Sequence, residues 1–150
     1  MRIAIFTDTY YPDINGVVSS IGILRNELMK HGHQVLIITT IPPRGVHMEE
    51  NPSIIRMNGI SIKSIYGYRM AGLYNNKIFK QIKEFNPDII HTQTEYGIGL
   101  FGRICGYKLN VPTVYTFHTN LYDYTYYVTK GIEPLDSLVK IIVKKLMKVY

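Results

Sequence analysis

Residues that could bind or process a polar ligand follow three separate apolar runs of the sequence. Asp8 and Gly16 come after the first run, Glu95 after a later one, and His118 after the last clear one. If these runs are parallel strands, their carboxyl ends share one edge of a sheet. We therefore expect the four residues to border a single cleft, because unrelated connections would scatter them over the surface.

The segment between Asp8 and Gly16 predicts a turn that opens a helix. Pro12, Asp13 and Asn15 are turn formers, and the glycine would let a ligand approach backbone N–H groups at the helix start, where phosphate is favoured. An ordinary strand-to-helix turn with a structural glycine is the alternative. Neither a G-x-G-x-x-G nor a Walker fingerprint is present.

The elements that must position these residues alternate between strands and helices. Short, continuous apolar runs predict buried strands, and the segments between them carry helical spacing. The strands are predicted at residues 3–6, 34–40, 54–56, 88–91 and 111–117, and the helices at 17–31, 77–85, 97–109 and 134–150. This order predicts an α/β fold: one Rossmann-like domain over residues 1–150, with three α/β/α layers and a mainly parallel sheet.

Further segments also need interpretation, and two of them allow two interpretations each. Residues 60–65 alternate like a half-exposed edge strand, and residues 66–74 are either a packed tyrosine-rich loop or a surface for an acceptor or membrane. The terminal helix carries Lys140, Lys144 and Lys148, which form a solvated face or dock on anionic lipid. His31 and His33 lack a third nearby ligand, so a metal site is not expected.

Composition sets the class of protein. The chain has 150 residues, 46% of them hydrophobic, a net charge of +6 and 13 tyrosines. Basic charge favours phosphates, anionic lipid or nucleic acid, but the lysines do not alternate with aromatics as a nucleic-acid groove requires. Cys105 is the only cysteine, and no run is long enough for a signal peptide or membrane span. We expect a cytoplasmic protein, with peripheral contact at the inner membrane face allowed.

Four motifs in order resemble the N-terminal domain of a family 4 retaining glycosyltransferase with the GT-B fold. They are Phe6-Thr7-Asp8-Thr9-Tyr10-Tyr11-Pro12 with Asn15-Gly16-Val17, Gly32-His33-Gln34-Val35, Pro87-Asp88-Ile89-Ile90-His91 with Glu95 and Gly99, and Thr116-Phe117-His118-Thr119. The histidine motifs and the tyrosines after them are most similar to those of diacylglycerol glucosyltransferases. The resemblance implies a nucleotide-sugar donor such as UDP-glucose, a lipid acceptor, and no metal ion or other cofactor.

The resemblance also implies roles for individual residues. His118 would lie beside the transferred sugar, and Asn15 and Gly16 would face the donor diphosphate, although the family usually has Gly-Gly there. The acceptor side would be formed by Asp8, Glu95, Thr119, Tyr122, Asp123 and Tyr126.

The family's donor-binding charges belong to a C-terminal domain that these 150 residues do not include. A diphosphate leaving group without them would lose several kcal/mol of stabilisation, so we expect the chain alone to be inactive. The alternative is a non-catalytic Rossmann-type module that binds a nucleotide or another phosphorylated ligand.

Overall fold

The computed structural model describes residues 1–43, 45–46, 51–61 and 69–118. They fall into a unit spanning Met1–Thr116 and the first residues of a second unit, Phe117–Tyr150. The prediction of a single domain concerns both units and stays a prediction.

The first unit is built on a five-stranded parallel sheet. Its strands are β1 (Arg2–Phe6), β2 (Gln34–Thr40), β3 (Ile54–Met57), β6 (Ile89–Thr92) and β7 (Thr113–Tyr115), in the spatial order β3-β2-β1-β6-β7. The central strand β1 is buried along Ile3, Ala4, Ile5 and Phe6, so both of its faces are covered. The predicted parallel sheet is confirmed.

Helices cover both faces of this sheet. Helix α1 (Gly16–Lys30) packs Ile21 on Ile5 and Ile37. On the other face lie α2 (Asn76–Phe85) and α3 (Gly97–Leu109), with Ile82 and Phe101 in the core. Side chains of each strand point alternately to these two cores, as strand geometry requires. The three-layer, Rossmann-like fold predicted from the sequence is confirmed.

A small second sheet departs from the prediction for residues 60–74. Strand β4 (Gly59–Ser61) pairs antiparallel with β5 (Arg69–Ala71), apart from the five-stranded sheet. The described part of the predicted edge strand is therefore in a hairpin, and the segment expected to be a loop contains a strand. An alternating sequence pattern predicts a strand, but it does not identify the strand with which it pairs.

Candidate functional site

The carboxyl ends of the parallel strands lie along one edge of the sheet. The order in which the strands are added changes direction at β1. β1 neighbours β2 on one side and β6 on the other, and the connecting helices α1 and α3 lie on opposite faces. Crevices in open α/β sheets form at such a switch point. Asp8 follows β1 and Glu95 follows β6, so the structure brings these two predicted site residues to the same crevice.

Asp8 has its carboxylate inside the protein rather than open to the crevice. The residue is 1% exposed; its Oδ1 accepts from the Ile98 N–H at 3.0 Å and its Oδ2 from the Thr94 hydroxyl at 2.5 Å. Ile98 is the second residue of α3, whose N-cap residue Tyr96 makes no side-chain cap. Asp8 therefore caps a helix from a neighbouring strand, and its predicted acceptor-binding role stays a prediction.

The surroundings of Asp8 act on its protonation in opposite directions. Burial raises the pKa of its carboxyl and is the dominant cause, while hydrogen bonds from the Ile98 N–H, the Thr94 hydroxyl and the Gly99 N–H lower the pKa. The charge of nearby Glu95 raises this pKa further. A net upward shift makes the buried group easier to protonate than an ordinary aspartate.

The glycines at the start of α3 allow this close packing. A Cβ on Gly99 would lie 1.7 Å from the carbonyl oxygen of Thr94, and a Cβ on Gly97 would lie 2.2 Å from that of Ala71. Either contact is far inside normal van der Waals distance. Tight packing on backbone accounts for both glycines.

Glu95 is half-buried at the crevice and contacts the neighbouring strand. One carboxylate oxygen accepts a hydrogen bond from the Tyr115 hydroxyl of β7. Two residues earlier, Gln93 is buried and its Nε2 lies 3.0 Å from His91 Nε2, which is also 2.7 Å from Thr116 Oγ1. Polar side chains thus connect the ends of β6 and β7.

The loop after Asp8 is held by its own polar side chains. Asn15 Oδ1 accepts from the Val18 N–H at 2.9 Å and caps α1, while its Nδ2 donates to Thr9 Oγ1 at 3.0 Å. That hydroxyl donates to Asp13 Oδ2 at 2.9 Å. The Asn15 side chain, predicted to bind the donor, is therefore hydrogen-bonded within the turn. In this position it stabilises the start of α1 beside Gly16.

Gly16 is the first residue of α1 and is exposed. A Cβ added there would meet no atom within 4 Å among the described residues. The helix N–H groups at this position have no carbonyl partner one turn earlier, so they can face a ligand. Nothing in the described part of the chain requires glycine at this position.

Arg56 is a residue of this region that the sequence analysis missed. Its guanidinium donates from Nη1 to the Thr40 carbonyl at 3.1 Å and from Nη2 to the Tyr11 carbonyl at 2.7 Å. Burial lowers the pKa of Arg56, whereas the charge of Asp13 raises it. The available signal was a lone charge in the otherwise apolar strand β3.

His118 belongs to the second unit and is described by itself. It is half-buried, and burial lowers the pKa of its imidazole, which favours the neutral ring near pH 7. Its predicted place beside Asp8, Gly16 and Glu95 stays a prediction.

Seven predicted contact residues lie outside the described part of the chain. Four belong to the predicted acceptor side and three to the predicted membrane face: Thr119, Tyr122, Asp123 and Tyr126, and Lys140, Lys144 and Lys148.

Within residues 1–43, 45–46, 51–61 and 69–118, no three of the residue types His, Cys, Asp and Glu are grouped as a metal site would require. His31 instead contacts the Glu27 carbonyl at 2.8 Å, and His33 contacts the Met1 amino group. No helix in these ranges combines the length and apolar character needed to cross a bilayer.

Known proteins resemble this chain over most of its length. The profile of Glycosyltransferase Family 4 matches residues 14–149. An alpha-monoglucosyldiacylglycerol synthase of Streptococcus pneumoniae is 40% identical over 96% of the chain, and one of Acholeplasma laidlawii is 39% identical over 87%. A GDP-mannose-dependent alpha-mannosyltransferase of Mycolicibacterium smegmatis is 26% identical over 81%.

The alignments cover 32%, 33% and 33% of these three relatives, so the chain spans about a third of their length. The family profile nevertheless matches well over half of this chain, and the matched range includes the end of the β1–α1 turn and the segments after β6 and β7. The resemblance drawn from the four motifs is thereby confirmed, and the chain belongs to glycosyltransferase family 4.

Proposed function

We propose that residues 1–150 are the acceptor-side part of a glycosyltransferase that moves glucose from UDP-glucose to a lipid hydroxyl such as that of diacylglycerol. The main support is the 40% identity to an alpha-monoglucosyldiacylglycerol synthase across 96% of the chain. Two structural features agree with it: an exposed helix N-terminus at Gly16 and a polar crevice beside it at the end of β6.

In this proposal the donor diphosphate lies against the start of α1. The Gly16 N–H group and the positive end of the helix dipole attract the negative charge that develops on the leaving group. Asn15 contributes by fixing the helix start, since its side chain already bonds Val18 and Thr9. The absent Cβ of Gly16 lets the phosphate oxygens approach the backbone.

The acceptor hydroxyl is bound on the other side of the crevice. Glu95 retains acceptor capacity beyond its bond from Tyr115, because a carboxylate can accept several hydrogen bonds. Asp8 supports this position indirectly by holding Thr94, the residue before Glu95. His118, as a neutral imidazole, hydrogen-bonds the transferred sugar. Its lowered pKa implies that acid reduces transfer only at a lower pH than an ordinary histidine at this position would allow.

A transfer assay tests this function. The full-length protein that contains residues 1–150 is incubated with labelled UDP-glucose and vesicles containing diacylglycerol. We expect a glucosylated lipid with the donor's α-configuration retained, the same rate with a chelator present, and a loss of about tenfold or more in His118→Ala. Absence of lipid product from the wild-type protein would reject the function, and normal turnover of the variant would remove His118 from the mechanism.

The donor nucleotide is tested in parallel with GDP-mannose, because one relative is a GDP-mannose-dependent alpha-mannosyltransferase. We expect UDP-glucose to be the better donor, since the two synthases share more identity with this chain. Mannose transfer at a higher kcat/KM would reassign the donor.

Residues 1–150 alone are expected to bind UDP-glucose weakly and to transfer nothing, because we assign most donor contacts to a C-terminal domain. Calorimetry measures this directly. Tight binding by this chain alone would favour the alternative, a nucleotide-binding module without chemistry.

We place the protein at an anionic membrane surface on the cytoplasmic side. Replacing Lys140, Lys144 and Lys148 together by glutamine should weaken binding to vesicles containing anionic lipid, by about 1 kcal/mol for each lysine that reaches the surface. If the variant co-sediments with the vesicles as well as the wild type does, these lysines form a solvated face and do not bind lipid.

A further inference from the structure

Arg56 connects three chain segments that meet beside the candidate site. It lies next to Thr39 of β2 in the parallel ladder, and its guanidinium extends past the end of that strand. One N–H group reaches the Thr40 carbonyl and another reaches the Tyr11 carbonyl, 45 residues away in sequence. The β1–α1 loop is thereby tied to β2 and β3 at its first turn.

The same loop carries side-chain hydrogen bonds that lead from Asp13 to α1. The positive charge of Arg56 acts electrostatically on Asp13, whose Oδ2 accepts from Thr9. Thr9 in turn accepts from Asn15, which caps α1 through the Val18 N–H. Arg56 therefore acts on this loop in two ways, through its hydrogen bond to the Tyr11 carbonyl and through its charge on Asp13.

The chemistry of arginine fits this position. A guanidinium presents several N–H groups in a rigid fork, so two carbonyl oxygens on different segments can be satisfied at once, while a lysine ammonium lacks that fixed geometry. Partial burial of the charge is unfavourable unless such partners are present. A surface role alone would require neither the fork nor the two hydrogen bonds to backbone carbonyls.

We propose that Arg56 is the positioning residue for the turn that holds the donor diphosphate. It touches no donor atom itself; it fixes the path of residues 11–15 so that the Gly16 N–H group points at the diphosphate. This inference rests on the proposed function, because the diphosphate is the ligand assigned to that turn.

The test compares three variants of the full protein. Arg56→Met removes the fork and the charge, and Arg56→Lys keeps only the charge. Arg2→Met is the matched control: it removes an exposed arginine that faces Asp88 at 3.8 Å at the opposite end of the sheet. Steady-state kinetics give separate KM values for UDP-glucose and lipid, and amide hydrogen exchange without donor reports the order of residues 11–17.

We expect Arg56→Met to raise the donor KM about tenfold, as loss of a charge-assisted hydrogen bond would, with the lipid KM within about twofold. Arg56→Lys should give a smaller rise, and Arg2→Met should behave as wild type. Exchange of the loop amides should accelerate in Arg56→Met while that of β1 and β6 stays unchanged. If Arg56→Met does not fold, Arg56→Lys decides the question with the same two measurements.

An unchanged donor KM, or equal rises in both KM values without faster loop exchange, would overturn the inference. The exchange measurement also separates the role of Arg56 from the proposed function. Faster loop exchange in a protein whose wild type transfers no sugar would reject the proposed function while showing that Arg56 orders the turn. Unchanged exchange would reject the role of Arg56 whatever the activity.

Discussion

Helices α1 and α3 begin at the same edge of the sheet, and their N-termini differ in how they are capped and in the space around their glycines. At α3 a protein carboxylate, Asp8, accepts the Ile98 N–H, and Gly99 packs against the backbone of Thr94. At α1 the cap is the neutral side chain of Asn15, and Gly16 is exposed with open space where its Cβ would be. Both helix ends attract negative charge.

The difference separates a structural helix end from one available to a ligand. The positive end of α3 is already neutralised from inside the protein, so the glycine there serves packing. The positive end of α1 has no acidic residue in its first turn, and the glycine there serves no contact among the described residues. Substitutions at the two helix ends should therefore affect different properties.

Gly99→Ala should have the largest effect on stability. The added methyl group would overlap the Thr94 carbonyl, which belongs to backbone and cannot rotate away. We expect the free energy of unfolding to fall by about 3 kcal/mol or more, measured by urea denaturation. A loss below about 1 kcal/mol would mean that α3 can shift, and the contrast between the two helices would weaken.

Asp8→Ala should lower the free energy of unfolding by about 2–3 kcal/mol, because a buried N–H and a buried hydroxyl lose their acceptor. Asp8→Asn should cost less, since its amide oxygen can still accept from Ile98. Equal losses in the two variants would argue that the charge, and not the cap, is what matters.

The pH dependence of these variants has a defined sign. Burial holds the pKa of Asp8 above its ordinary 3.8, so the folded chain binds this proton more tightly than the unfolded chain. The stabilisation from Asp8 is complete below that ordinary value and is lost as the pH rises through the folded pKa. The stability difference between wild type and Asp8→Asn should therefore be greatest in acid and shrink toward neutral pH.

Gly16→Ala should leave folding nearly unchanged, within about 1 kcal/mol, because alanine is tolerated at a helix start with open space around it. If the diphosphate binds there, the methyl group should reduce kcat/KM for the donor about tenfold or more, equivalent to about 1.4 kcal/mol. Full activity would remove Gly16 from the donor site and leave two structurally ordinary helix ends.

Asn15→Ala should lower the free energy of unfolding by about 1 kcal/mol, which is typical of a lost N-cap. Asn75→Ala is its matched control, because Asn75 caps α2 in the same way by accepting the Ile78 N–H at 3.1 Å. Both variants should lose similar stability in denaturation, but only Asn15→Ala should also reduce transfer. Equal activities would show that the order of the α1 cap does not matter to the donor.

Much of the fold could be predicted because it follows from local patterns. Continuous apolar runs identified the strands, and helical spacing with turn residues identified α1, α2 and α3. The hairpin of β4 and β5 was missed, since its strands are three residues each and their partner depends on tertiary contacts. Arg56 was missed for the same reason, because the carbonyl groups it binds lie on distant segments.

The linear order of residues established the layered α/β arrangement, the strand ends that carry polar groups, and membership of a glycosyltransferase family. Only the tertiary structure decided which of these polar groups are buried in the fold and which stay exposed. Hydrogen bonds between remote segments depend on distances that no local pattern encodes. Asp8 and Gly16 both follow β1, yet the packing of α3 buries the first as a helix cap and leaves the second exposed at the start of α1.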